Sequence, residues 1–134
     1  MNFTNIDNIN SSIDRCNHNI SPYDISVIVH RCFKNEYRYM GNTQWEYFDI
    51  VTNEWKKDKR ASKLKEAVKN TISDLFTIRS MYWYSQCEEN INTEIHSKYM
   101  AEKLSRISYQ LKLPKFISVV IKEARSFFDI YAND

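Results

Sequence analysis

The residues with the most chemistry to offer lie in one stretch. Lys56, Lys57, Lys59, Arg60 and Lys63, with Lys65 and Lys69 close behind, follow two tryptophans, Trp45 and Trp55. Lysine and arginine at this density neutralise phosphates, and interleaved aromatic rings offer faces on which bases stack, so the mixture points to a nucleic-acid backbone held without base reading. The first five basic residues lie within a span that one stretch of backbone covers. The amino end of the helix they introduce would add unpaired N–H groups and the positive end of a dipole. The plainer reading is a solvated helix face behind core aromatics, because aromatic side chains mostly supply buried area. On that reading Trp45 and Trp55 are mainly structural.

Other groups invite chemistry and do not sustain it. Cys16-Asn17-His18 and His30-Arg31-Cys32 suggest zinc, yet their one-residue spacing is shorter than zinc sites use. His30 and Cys32 on a helix also point about 200° apart. Core thiols account for these cysteines better. Glu94 and His96 fit capping and solvation at a helix start, and no Ser/His/acid cluster is recognisable. A single glycine leaves no material for a loop that cradles phosphates. No catalytic, cofactor or metal residue is therefore expected in this chain.

At 134 residues and 43% hydrophobic content, the sequence supports one core. Its net charge of +2 means that any nucleic-acid surface must come from local clustering. The amino terminus lacks the cationic start and apolar run of a signal peptide, and no stretch reaches the roughly 20 apolar residues of a membrane span. A soluble, intracellular protein without a membrane partner is the expectation. Three widely spaced cysteines fit reduced thiols better than a disulfide framework.

The elements that must position the basic run can be taken in order. Residues 1–20 are Asn-rich, with Ile6, Ile9, Ile13 and Cys16 at helical spacing and Thr4 with Asp7 as a capping box, a marginal helix. Residues 21–134 form one helical domain with a β insertion at about 37–57. Ser21-Pro22-Tyr23-Asp24 starts a helix to about Lys34 whose stripe is Ile25, Ile28, Val29, Cys32 and Phe33. Strands follow at Tyr37 to Met40, Gln44 to Ile50 and Glu54 to Lys56, joined through Gly41-Asn42-Thr43 and Val51-Thr52-Asn53. Leu64, Val68, Ile72, Leu75, Phe76, Arg79, Tyr82 and Trp83 predict a helix of about 25 residues ending near Gln86. After a Glu88-Glu89-Asn90 turn, Ile95, Tyr99, Leu104, Ile107 and Leu111 mark another. Pro114 opens the last, with Phe116, Ile117, Val120, Ile121, Ala124, Phe127, Phe128 and Tyr131 as its apolar face. The fold class is mainly α, a bundle of four to five helices with a small antiparallel β meander inserted after the first strong helix.

This order of elements is similar to a known one. Trp45-Glu46-Tyr47-Phe48-Asp49, Asn53-Glu54-Trp55, a basic helix and the final run 113–128, Leu-Pro-Lys-Phe-Ile-Ser-Val-Val-Ile-Lys-Glu-Ala-Arg-Ser-Phe-Phe, resemble the domain preceding the superfamily 3 helicase core in primase-helicases of nucleocytoplasmic large DNA viruses and phages. The resemblance covers about Ile25 to Tyr131. It implies a non-catalytic role in DNA replication, helping to engage single-stranded or forked DNA or to assemble a ring. ATP and Mg²⁺ would belong to a parent motor domain, since no Gly-Lys-Ser/Thr phosphate loop stands in this chain. It implies as partners DNA, the helicase motor and further copies of the module, at a viral replication site in a host cell. Because the chain stops where a motor would begin, it is either a fragment of the larger polypeptide or a stand-alone relative. Two other readings remain: a protein-interaction module whose lysines only keep it soluble, and a DNA-binding regulator built like a winged helix.

Overall fold

The computed structural model describes residues 3–17, 20–89 and 94–132. Helix α1 (Phe3–Arg15) and helix α2 (Pro22–Phe33) lead into strands β1 (Tyr37–Tyr39), β2 (Trp45–Asp49) and β3 (Glu54–Asp58). A 3₁₀ turn at Lys59–Ala61 then opens α3 (Ser62–Ala67), which runs through a π turn at Val68–Ile72 into α4 (Ser73–Glu89). Helices α5 (Glu94–Gln110) and α6 (Pro114–Phe128) close the chain. The protein is mainly α, with a three-stranded antiparallel sheet ordered β1-β2-β3 inserted after α2.

Local chemistry explains these elements. Ser21 caps α2 by accepting the Asp24 N–H at 3.3 Å, and Pro22 fills the first helical position. Ile25, Ile28 and Val29 are wholly buried, and α2 lies along α6, whose Val120 and Ala124 are also wholly buried. Helix α1 is better anchored than its composition suggests. Its Ile9 and Ile13, with Cys16 just beyond it, join the core, and the Asp14 carboxylate accepts from the Arg79 guanidinium (2.9 and 2.7 Å) and the Trp83 indole N–H (2.9 Å) of α4. The expected Thr4–Asp7 capping box, Ile6, His18 and Asn90 lie outside the residues whose side chains are described.

The rod from α3 to α4 carries Leu64, Val68, Ile72 and Phe76, all fully buried at a strict spacing of four. In an unbroken α-helix that spacing drifts by about 40° per step. The π turn takes up one residue and returns the stripe to one face. Carbonyls in this turn and just after it are engaged: the Ser73 hydroxyl donates to Lys69 O, and the Ser108 hydroxyl donates to Ser73 O at 2.9 Å. Helices α4 and α5 meet along small residues, with Ser80 Oγ donating to Ala101 O at 2.6 Å.

Several expectations need correction. Helix α4 continues through Glu89, so Glu88-Glu89 is not a turn. Ile95 (88% exposed) and Tyr99 (43%) face outward rather than into the core. Tyr131 lies beyond the end of α6 and is exposed, because the chain leaves the helix at Asp129, where the Ile130 N–H donates to Tyr39 O at 3.2 Å and binds this end to β1. Strand β3 extends to Asp58, two residues further than expected. Among the described residues no helix is long and apolar enough to cross a membrane.

Candidate nucleic-acid interface

The sheet's two faces divide the work. Opposed residues share a face, so the register Trp45↔Asp58 and Tyr47↔Lys56 sets one side, and Glu46↔Lys57 and Phe48↔Trp55 set the other. Trp45 is 2% exposed and packs against Tyr39 (5.1 Å between centroids) and Phe128 of α6 (5.4 Å), which fixes the sheet on the bundle. Trp55 lies on the other face and is only half-buried, in contact with Phe48 and beneath the Arg38 guanidinium at 4.3 Å. Both tryptophans pack against neighbouring side chains, Trp45 in the core and Trp55 on the outer face of the sheet.

The basic run does not sit at the start of a helix, as its sequence suggests. Lys56 and Lys57 belong to β3, and α3 begins only at Ser62. The helix start is not open to phosphates either. Asp58, 3% exposed, turns inward, and its carboxylate accepts the Lys63 N–H at 2.9 Å and the Leu64 N–H at 3.1 Å, with the Ser62 hydroxyl at 3.4 Å. An acidic side chain thus already occupies the N–H groups that a phosphate was expected to use. To bring this about, Arg60 (φ 57°) and Ala61 (φ 54°) adopt left-handed conformations.

That turn opens a groove of about 510 Å³ between the β1–β2 loop, the end of β3 and α6. Six cations line it: Lys57, Lys59, Arg60 and Lys65 on one side, Lys122 and Arg125 of α6 on the other. The floor is apolar, with Trp45, Ala61 and Ile121 all buried. Asp58 is the one carboxylate among the lining residues, and it is engaged with the helix start. Among the described residues none of the six cations forms an ion pair. Arg125 stacks over the Tyr39 ring at 5.4 Å, and its Nε is buried without a hydrogen-bond partner.

Of the five residues read from the sequence, the fold brings Lys57, Lys59 and Arg60 together here. Lys56 is directed elsewhere and pairs with Asp49 at 2.7 Å, which holds that carboxyl below the usual carboxylate range and raises the lysine. Lys63 lies over the Tyr47 ring at 4.7 Å, beside a separate shallow concavity that also touches Glu66. Lys122 and Arg125 escaped the sequence reading. Their only signal was a spacing of three on the polar side of α6, which places them on one face.

His30, considered for zinc, packs instead against Phe127 (5.8 Å) and Phe128 (5.0 Å), and burial followed by the charge of Lys34 lowers its pKa. Cys16, Cys32 and Cys87 are free thiols, and burial pushes the first two to about 12 and about 11. No protein-family model and no curated protein matches this chain.

Proposed function

We propose that this chain is a non-catalytic helical module that holds nucleic acid by its phosphates, working in DNA replication beside an ATP-driven helicase motor. The groove carries this reading: cations from β3, the turn after it, α3 and α6 converge on one concavity whose only carboxylate among the described residues is engaged with the start of α3. Two such charges 10 Å apart repel by about 0.4 kcal/mol in water, and salt screens part of that. Six unpaired neighbours are thus a mild burden on folding that a bound polyanion relieves. The resemblance of residues 45–49, 53–55 and 113–128 to the domain before the superfamily 3 helicase core supports DNA as the polyanion. On this reading ATP and Mg²⁺ belong to the motor, the neighbours are that motor and further copies of the module, and the setting is a viral replication site.

The test is a titration of labelled single-stranded and duplex DNA at several salt concentrations, comparing the parent chain with Lys59→Gln/Arg60→Gln/Lys122→Gln. Each cation removed from a phosphate should reduce the slope of log affinity against log salt by about 0.7 to 0.9. The triple variant should fold at least as stably as the parent, since it loses only repulsion and exposed side chains. Unchanged affinity and slope would sink the assignment.

A protein-interaction module is the second reading, favoured by an outward apolar stripe on α4: Ile78 (63% exposed), Met81 (64%) and Tyr82 (42%). Absence of DNA binding by the parent chain at low salt would leave this surface as the better account.

A further inference from the structure

We propose that the groove takes a single strand rather than a duplex, and that the strand runs on into a second basic groove along the seam of α3 and α6. This rests on the phosphate-binding reading above and names its ligand. The second groove, about 350 Å³, lies between the α3–π-turn segment and the start of α6. Lys69 and Asn70 line one side and Lys112 and Pro114 the other, with Glu66 as its one carboxylate. Lys65 and Ser118 line both grooves, so the two are joined end to end.

The shape of the groove favours a single strand, and its length and lining describe how that strand would be held. The cations of the first groove face one another across a concavity, a shape that grips one backbone from two sides. A duplex carries its phosphates on a convex cylinder and is met by a flat or protruding basic surface, or by an element that enters the groove. The length also fits a short footprint: from Arg125 to Pro114, α6 rises about 16 Å, which spans about five nucleotides at a stacked rise of about 3.4 Å each. Among the described residues Trp45 is the only aromatic one lining either groove, and it is buried beneath the floor. No ring face is open for stacking, so bases point outward and the grip is insensitive to their identity.

The experiment measures binding of fluorescein-labelled oligothymidylates from about two to about twelve nucleotides, a matching oligoadenylate and a hairpin duplex of equal phosphate count. The parent chain is compared with Lys69→Gln/Lys112→Gln, both exposed positions. Affinity should rise steeply to about five nucleotides and then flatten, with adenylate equal to thymidylate and the duplex about tenfold weaker or more. The double variant should flatten at a shorter length, with a salt slope reduced by about 1.4, at an unchanged melting temperature. Duplex binding as tight as single-strand binding, or a double variant with the parent's length dependence and slope, overturns this inference and leaves phosphate binding standing. Failure of the parent to bind any of these probes at low salt overturns both.

Discussion

Replacing Asp58 by alanine tests the part of the structure on which the groove depends. The carboxylate accepts two backbone N–H groups, and one of them belongs to Leu64, which is fully buried. Hydrogen bonds to a charged group contribute about 1.5–3 kcal/mol each, and a buried N–H left without a partner costs about 1–3 kcal/mol. Arg60 and Ala61 are held left-handed by the same clamp, and that conformation costs a residue with a Cβ about 1–2 kcal/mol. Without the clamp the turn relaxes and recovers part of that strain, so the net loss should be about 3–4 kcal/mol. With a urea dependence of about 2 kcal/mol per molar, the midpoint should fall by about 1.5–2 M. Asp58→Asn keeps one carbonyl acceptor and should lose about half as much. Arg60→Gly removes a cation while easing the left-handed turn, and its gain is offset by glycine's larger unfolded-state entropy, so its stability should stay within about 0.5 kcal/mol of the parent. Tryptophan fluorescence in urea reads all three variants. A midpoint shift under about 0.3 M for Asp58→Ala would refute the clamp.

The remaining predictions follow from burial. Trp45→Ala should cost about 3–5 kcal/mol, whereas Trp55→Ala, half-buried on the outer sheet face, should cost about 1–2 kcal/mol. Denaturant midpoints that placed Trp55 above Trp45 would contradict the assignment of the faces. In the native protein at pH 8, Cys16 and Cys32 should react with a thiol reagent far more slowly than Cys87, and all three should react at once in denaturant. Their raised pKa values make stability whole below the ordinary thiol value of 9.0 and lost as pH climbs from there towards 11 and 12. His30 has the opposite sign. Its depressed pKa means that the unfolded chain takes up a proton first, so stability present above 6.5 is lost as pH falls below it. His30→Leu should flatten that part of a melting-temperature profile, and an unchanged profile would exclude His30 as its source.

Helix by helix, the sequence was legible where one residue type left one option. Ser21-Pro22 started α2, Pro114 started α6, and Gly41-Asn42-Thr43, all at positive φ, turned β1 into β2. Periodicity marked the buried faces of α2, α4 and α6 because each apolar stripe had a helix to meet. It misled at Tyr82, Ile95, Tyr99 and Tyr131, which the fold leaves exposed. The candidate site was half legible. Proximity in sequence could gather Lys57, Lys59 and Arg60, but Lys122 and Arg125 join them through tertiary packing, with Trp45 on Phe128 and the end of α6 bound to Tyr39 of β1. Asp58 was read as one charge in a basic run because nothing local marks a carboxylate that turns inward to cap a helix starting four residues later.

The costs in this fold are not spread evenly. Five residues other than glycine have positive φ among those described, and four of them, Asn42, Thr43, Arg60 and Ala61, line the same groove as the six unpaired cations. Strain in one place and like charge in another would each be ordinary. Their coincidence is not what stability alone would select, because exchanging Lys122 for a neutral residue would ease the repulsion. Backbone strain persists where the surrounding structure over-determines it, and here Asp58, Trp45 and the Tyr39–Ile130 contact hold the two loops against α6. Both burdens serve the same geometry, since the left-handed turns bring the chain to the wall of the groove and the cations line it. The gathering of backbone strain and like charge around one concavity supports the proposal that this concavity is the working surface and that a polyanion occupies it.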